Sequence, residues 1–206
     1  MAMPSPALIQ AFSQALGLDL YGAAEARSAL NSLFTITGHL PSNSCCAIGG
    51  MAVVIHVGTD HDGSALRQIS PDLDLLVDPS QLSTLARLIP VTNSLLGLSV
   101  FGSAITIDII AALDPLQEAA LGHARLHNVA GVFLRVISPP YLIALKLLAG
   151  RDKDMADINL LFQHSDQAGQ LDQLVHDTGQ ILTSFCPELI EDFDSRCQAW
   201  QSGIGF

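Results

Sequence analysis

Asp72 and Asp74 are separated by one leucine in Ser70-Pro-Asp-Leu-Asp-Leu-Leu, a run that alternates acidic with apolar residues. That alternation predicts a strand with one wet face, and side chains two apart on a strand point to the same side. Two hard oxygen ligands side by side suit Mg²⁺, which is typically held by one or two carboxylates plus substrate phosphates. A solvated strand face explains the same pair more blandly. Asp108 tips the balance towards the metal. It is the lone charge in Ala104-Ile-Thr-Ile-Asp-Ile-Ile-Ala111, and a carboxylate inside an apolar strand needs a partner or an exposed edge. Beside the Asp72 strand it would complete a set of three carboxylates suited to two Mg²⁺ ions, placed to accept the proton of an attacking hydroxyl.

Gly49-Gly50 falls between a short apolar run and a helix-like one. Without side chains, backbone N–H groups can approach a phosphate and a helix N-terminus favours the anion; a tight strand-to-helix turn explains the pair equally well. Lys146 interrupts the apolar helix Tyr141-Leu-Ile-Ala-Leu-Lys-Leu-Leu, and Arg151-Asp-Lys-Asp-Met-Ala-Asp157 follows. Lys146, Arg151 and Lys153 are three of only nine basic residues, a clustering that suits a small polyphosphate. The rival is a structural ion network, with Lys153 and Asp157 paired across one helical turn and the Lys146 stem lying on the core. Together the carboxylates, the glycines and the basic segment fit Mg²⁺ and a nucleoside triphosphate, and so nucleotidyl transfer.

Other chemistries lack their residues. The seven histidines form neither an HxH nor an HExxH arrangement, and His56, His61, His123 and His127 have no ligand framework for zinc. His123 and His127 are expected on one face of a helix end. No nucleophile elbow and no Ser/His/Asp or Cys/His triad can be assigned. Cys45, Cys46, Cys186 and Cys197 have no metal spacing and are expected as buried, reduced thiols.

The elements that must position these residues follow from pattern and punctuation. Ser5-Pro6 starts a helix that Gly17 stops, and a second helix is expected over about Ala23–Phe34. Ser44–Ile48 reads as a short buried strand, Met51–Val57 as a helix with a strand as the alternative, and Thr59–Ser64 as a polar loop. The Asp72–Val77 strand precedes a helix over Ser80–Ile89. Two strands, Leu98–Phe101 and Ala104–Ala111, precede a helix over Pro115–Leu126 and a strand over Val129–Ile137. Pro139-Pro140 opens a helix that Gly150 interrupts and Asp152–Gln163 resumes, with two more helices in Leu171–Trp200. That order predicts an α/β (α+β) fold with a small mixed sheet flanked by helices. The expected organisation is an N-terminal helical segment (1–43), a core (44–163) and a helical C-terminal extension (164–206).

Composition bounds the partners. Of 206 residues, 49% are hydrophobic and 14% charged, ample for a core and against disorder. A formal charge of −11 argues against a large nucleic-acid footprint. No apolar run reaches the ~18 residues that a membrane span requires. The start of the chain has neither a basic leader nor a long apolar stretch, so a cytoplasmic protein is expected.

At Ala47-Ile-Gly-Gly-Met-Ala, Ser70-Pro-Asp-Leu-Asp-Leu-Leu, Ile107-Asp-Ile and Lys146…Arg151-Asp-Lys-Asp-Met-Ala-Asp-Ile, the chain resembles the minimal nucleotidyltransferase superfamily. This is the fold of DNA polymerase beta, and the pattern looks most like the abortive-infection (AbiEii-type) toxin nucleotidyltransferases and related bacterial proteins. The resemblance spans about Ala47–Leu161. It implies that Gly49 and Gly50 contact the triphosphate, that Asp72 and Asp74 bind Mg²⁺, and that Asp108 completes the site as ligand or base. Lys146, with Asp157 nearby, would contact or organise the phosphates beside Arg151 and Lys153. The implied activity is Mg²⁺-dependent transfer of a nucleoside monophosphate from an NTP to a hydroxyl of RNA, protein or a small molecule, in a toxin that an antitoxin could partner.

The chain departs from that pattern in three places. Thr59–Ser64 reads as an insertion, Met51 stands where small polar residues are frequent, and Arg67 lies one residue further from the aspartate pair than its counterpart. These departures keep a second reading open, a nucleotidyltransferase-fold binding or toxin–antitoxin module without turnover.

Overall fold

Ser5-Pro6 sets the first helix. In the computed structural model Ser5 Oγ accepts from the Leu8 N–H at 3.2 Å, and α1 (Pro6–Ala15) buries Ile9 and Phe12. The structure describes residues 5–18, 23–58, 72–88, 91–94, 97–100 and 105–203, with backbone alone for 23, 91–94 and 97–100. Helix α2 (Ala23–His39) continues past the expected end at Phe34. Its Thr35 and Thr37 hydroxyls bond back to the Asn31 and Leu33 carbonyls at 2.8 and 2.9 Å, and Ile36 is fully buried. Tertiary burial thus overrides the weak helix propensity of a β-branched run. Phe12 and Phe34 join α1 to α2, with ring centroids 5.8 Å apart.

After β1 (Cys45–Ala47) come α3 (Gly49–Val57), β2 (Asp72–Val77), a 3₁₀ turn (Pro79–Gln81) and α4 (Leu82–Leu88). Strands β3 (Val91–Ser94), β4 (Gly97–Val100) and β5 (Thr106–Ala111) precede α5 (Pro115–His123), β6 (Arg125–Val129) and β7 (Val132–Val136). Among the described residues the sheet is mixed, as expected, with seven strands ordered β3-β4-β5-β2-β1-β7-β6. β2 runs parallel to β5 and β1 parallel to β7; the other pairs are antiparallel. Helix α3 packs on β2 and α2 on β5.

Two strands lie where none was expected. β3 is one. The other is β6, because α5 ends at His123 rather than near Leu126, and Arg125–Val136 folds as a hairpin. Its turn uses Ala130 and Gly131 at φ 48° and 87°, with Asn128 Oδ1 accepting from the Gly131 N–H at 2.9 Å. His123 therefore closes α5 while His127 stands on β6, not on one helix face. The expected loop Thr59–Ser64, His61 and Arg67 lie outside the described residues. All four cysteines are buried free thiols, and burial pushes Cys45 up to about 11 and Cys46 to about 12.

The chain divides into two compact units, 1–137 and 138–206, a boundary inside the 44–163 stretch that the sequence reading groups together. The second unit holds α6 (Pro139–Ala149), α7 (Asp152–Gln167), α8 (Leu171–Phe185), a 3₁₀ turn (Pro187–Leu189) and α9 (Ile190–Gln201). Gly150, at φ 64°, closes α6 in the left-handed conformation that glycine tolerates best. α8 contacts α6, α7 and α9, and Phe162 meets Phe193 and Trp200 edge-on at 6.4 and 5.7 Å. Among the described residues no helix is long and apolar enough to cross a membrane.

Candidate active site

Register brings the sheet carboxylates together. Asp74 of β2 is the direct parallel partner of Asp108 of β5, and Asp72 is opposite Thr106. Side chains alternate along each strand, so Asp72, Asp74 and Asp108 share one face. Burial agrees. Leu73, Leu75, Ile107 and Ile109 are buried on the core face, while the three aspartates are half-exposed. Neighbouring strands are about 4.8 Å apart, which places Asp74 and Asp108 within reach of one hydrated ion.

Gly49 explains why this corner of the sheet needs a glycine. It has φ 60°, and a Cβ there would overlap Asp74 Oδ2 and stand 2.9 Å from Asp74 Cγ. The Asp74 carboxylate thus lies against the Gly49 backbone, in space that every other residue would fill. The Ile48 N–H donates to the Asp74 carbonyl at 3.0 Å, tying the start of α3 to β2. Ile48, the N-cap of α3, contributes no side-chain cap, so nothing on its own side chain crowds the start of this helix. Met51 is fully buried, so its side chain fills core and leaves the turn to the backbone.

The donor set fits a hard divalent cation, because it consists of carboxylate oxygens that keep part of their surface exposed. Among the described residues no three His, Cys, Asp or Glu groups close into a ready-made metal cage. Mg²⁺ needs none, since substrate phosphates commonly complete its shell.

The basic segment forms a second constellation inside the C-terminal unit. Lys146 is buried, and its Nζ donates to Asp157 Oδ2 at 2.6 Å and to Asp154 Oδ1 at 3.1 Å. Arg151, with 60% of its side chain exposed, donates through Nε and Nη2 to the two Asp154 oxygens at 2.6 and 3.1 Å. Two cations and two carboxylates balance. Burial pushes the Asp154 carboxyl up, but the Arg151 hydrogen bond and the Lys146 charge outweigh it and hold the group below its usual range. Asp157 pairs with Lys146 rather than with Lys153, which is exposed, because a buried carboxylate requires a partner as desolvated as itself. Asp154, at the centre of this cluster, is missing from the expected site residues. Its spacing of three from both Arg151 and Asp157 along α7 is the signal that marks it.

No protein-family model matches the chain, and no curated protein sequence matches it significantly. Among solved structures it is similar to ANT(2'')-Ia in complex with adenylyl-2''-tobramycin, at 15% identity and a TM-score of 0.51, over 76% of this chain and 97% of that one. The solution structure of ANT(2'')-Ia aligns at 14% identity, 86% and 93% coverage and a TM-score of 0.42. An antigenic nucleotidyltransferase-like protein from Paracoccidioides brasiliensis aligns at 12% identity, 81% and 89% coverage and a TM-score of 0.43. The first of these carries the comparison. At that identity the likeness is one of architecture: this chain has the nucleotidyltransferase fold.

Proposed function

We propose that this protein transfers a nucleoside monophosphate from an NTP to a hydroxyl acceptor in a Mg²⁺-dependent reaction. The observation that carries the reading is the register pair Asp74–Asp108, on one half-exposed face with the Asp74 carboxylate seated against Gly49. Asp72 and Asp74 would hold Mg²⁺, with Asp108 as third ligand or as the base that takes the acceptor proton. Bound Mg²⁺ would neutralise charge on the triphosphate and on the departing pyrophosphate. Gly49, Gly50 and the first N–H groups of α3 would cradle phosphate oxygens at the positive end of the helix. Within the C-terminal unit, Arg151 and Lys153 are exposed cations of a kind suited to phosphate oxygens, while Lys146 and Asp157 organise their segment from within.

A small-molecule hydroxyl is the acceptor that the charge favours, because a chain of net charge −11 repels RNA and attracts cationic compounds. ANT(2'')-Ia, bound to adenylyl-2''-tobramycin, is an example on the same fold. The abortive-infection resemblance adds a finer proposal, a toxin whose activity an antitoxin restrains.

Thermal melts with ATP, GTP, CTP and UTP, with and without Mg²⁺, test the reading. At a ligand concentration of 100 Kd the stabilisation should be about 2.7 kcal/mol, and it should require Mg²⁺. Asp74→Asn should abolish that response while melting at or above the parent temperature, because it removes like-charge repulsion from the cluster. If no nucleotide raises the melting temperature under either condition, the proposal fails.

A further inference from the structure

Helix α3 carries the paired glycines at one end and His56 at the other, and a single residue is bonded beside both ends. The Ile137 N–H donates to the carbonyl of Ala47, the last residue of β1, at 3.0 Å. The Ile137 carbonyl lies 2.7 Å from His56 Nε2, across 81 positions of sequence. A carbonyl only accepts, so Nε2 carries the proton. His127 of β6 meets the His56 ring edge-on, with centroids 5.1 Å apart and planes at 86°, and supports it from the sheet side. Burial holds the His127 pKa below its ordinary value.

We propose that His56 is a positioning residue: by clamping the far end of α3 to Ile137, it holds the Gly49–Gly50 turn in the place where it meets Asp74 and phosphate. The tolerance there is small, since the Asp74 carboxylate already fills the space of a Gly49 Cβ. A helix of nine residues is about 13 Å long, so a tilt of roughly 5° displaces one end by about 1 Å. A misplacement of about 1 Å can cost on the order of 100-fold in a reaction that depends on alignment. The consequence for phosphate rests on the proposed function; the clamp itself does not.

His56→Leu and His56→Gln separate a clamp from mere packing, because the glutamine amide can still donate to the Ile137 carbonyl. Hydrogen exchange of the amides at residues 52–54, whose N–H groups are bonded within the helix, should quicken about 10-fold in the leucine variant and stay near the parent in the glutamine variant. The Kd for ATP with Mg²⁺ should weaken about 10-fold with leucine and less than about 3-fold with glutamine. His127→Ala, which removes the supporting ring but keeps the donor, should quicken the same amides to a smaller degree and covers the case of an unfolded His56→Leu. Equal exchange in all variants, or a glutamine variant as loose as the leucine one, overturns the clamp. A parent protein that binds no NTP overturns the proposed function, and the exchange data still decide the clamp.

Discussion

Asp72, Asp74 and Asp108 line a half-exposed face of the sheet in the N-terminal unit, while Asp154 and Asp157 are buried around Lys146 in the C-terminal unit. The side chains are the same and the solvent is not. Taking a carboxylate out of water costs several kcal/mol, so the C-terminal pair exists only with its own cations beside it. The sheet aspartates keep contact with water, and nothing in their burial forces the protein to neutralise them internally. Under the proposed function, exposure suits the first cluster to a ligand cation, whereas burial makes the other part of the structure that holds α6 and α7.

The contrast predicts its largest effect at Lys146. Lys146→Ala leaves Asp157 and part of Asp154 buried without a cation, and should destabilise the protein by about 3–5 kcal/mol. Denaturant melts would read this directly. If Lys146 instead contacts the phosphates, as the resemblance implies, the main effect of the same change falls on nucleotide affinity. If the variant melts with the parent yet binds NTP more weakly, the comparison breaks and Lys146 belongs to the ligand.

The two clusters were unequally legible for physical reasons. Alternation around Asp72 and Asp74 and the apolar setting of Asp108 both use the two-residue period of strands, which survives in sequence without tertiary information. The Gly49 requirement showed as a paired glycine, although the reason for it, the Asp74 carboxylate on its Cα, is a contact between distant segments. The Lys146–Asp154–Asp157 network crosses the turn between two helices, at separations of eight and eleven residues, where no helical period applies. The β6–β7 hairpin was hidden because Asn128-Val-Ala-Gly131 lacks the adjacent Asn-Gly or Asp-Gly pair that announces a tight turn, and Arg125-Leu126 continued a helical pattern. The His56–Ile137 bond joins residues 81 apart and leaves no local trace.

Gly49 offers a sharper and somewhat smaller effect on the exposed side. Gly49→Ala should cost about 1–2 kcal/mol from the left-handed backbone alone. The new methyl should also push the Asp74 carboxylate off its seat. A double-mutant cycle with Asp74→Ala should therefore show coupling of about 0.5–3 kcal/mol, because removing the carboxylate makes room for the methyl. Additive melting data would mean that Asp74 does not rest on Gly49, and the glycine would then serve its turn alone.

The smallest effect is a pH dependence confined to the buried cluster. Asp154 has a carboxyl held below the range of an unfolded aspartate by Arg151 and Lys146, against the upward push of burial. A depressed folded pKa means that the unfolded chain takes up its proton first as pH falls. The stabilisation is therefore fully present above about pH 4, the ordinary aspartate range, and is lost as pH falls through the folded value. Asp154→Asn cannot titrate, so its stability deficit relative to the parent should be constant from pH 7 to about 5 and shrink below about 4. Paired urea melts across that range measure the deficit. A deficit that does not change with pH would mean that Asp154 contributes hydrogen bonds rather than charge, and the distinction between a ligand-ready and a self-neutralised cluster would then rest on Asp157 and Lys146 alone.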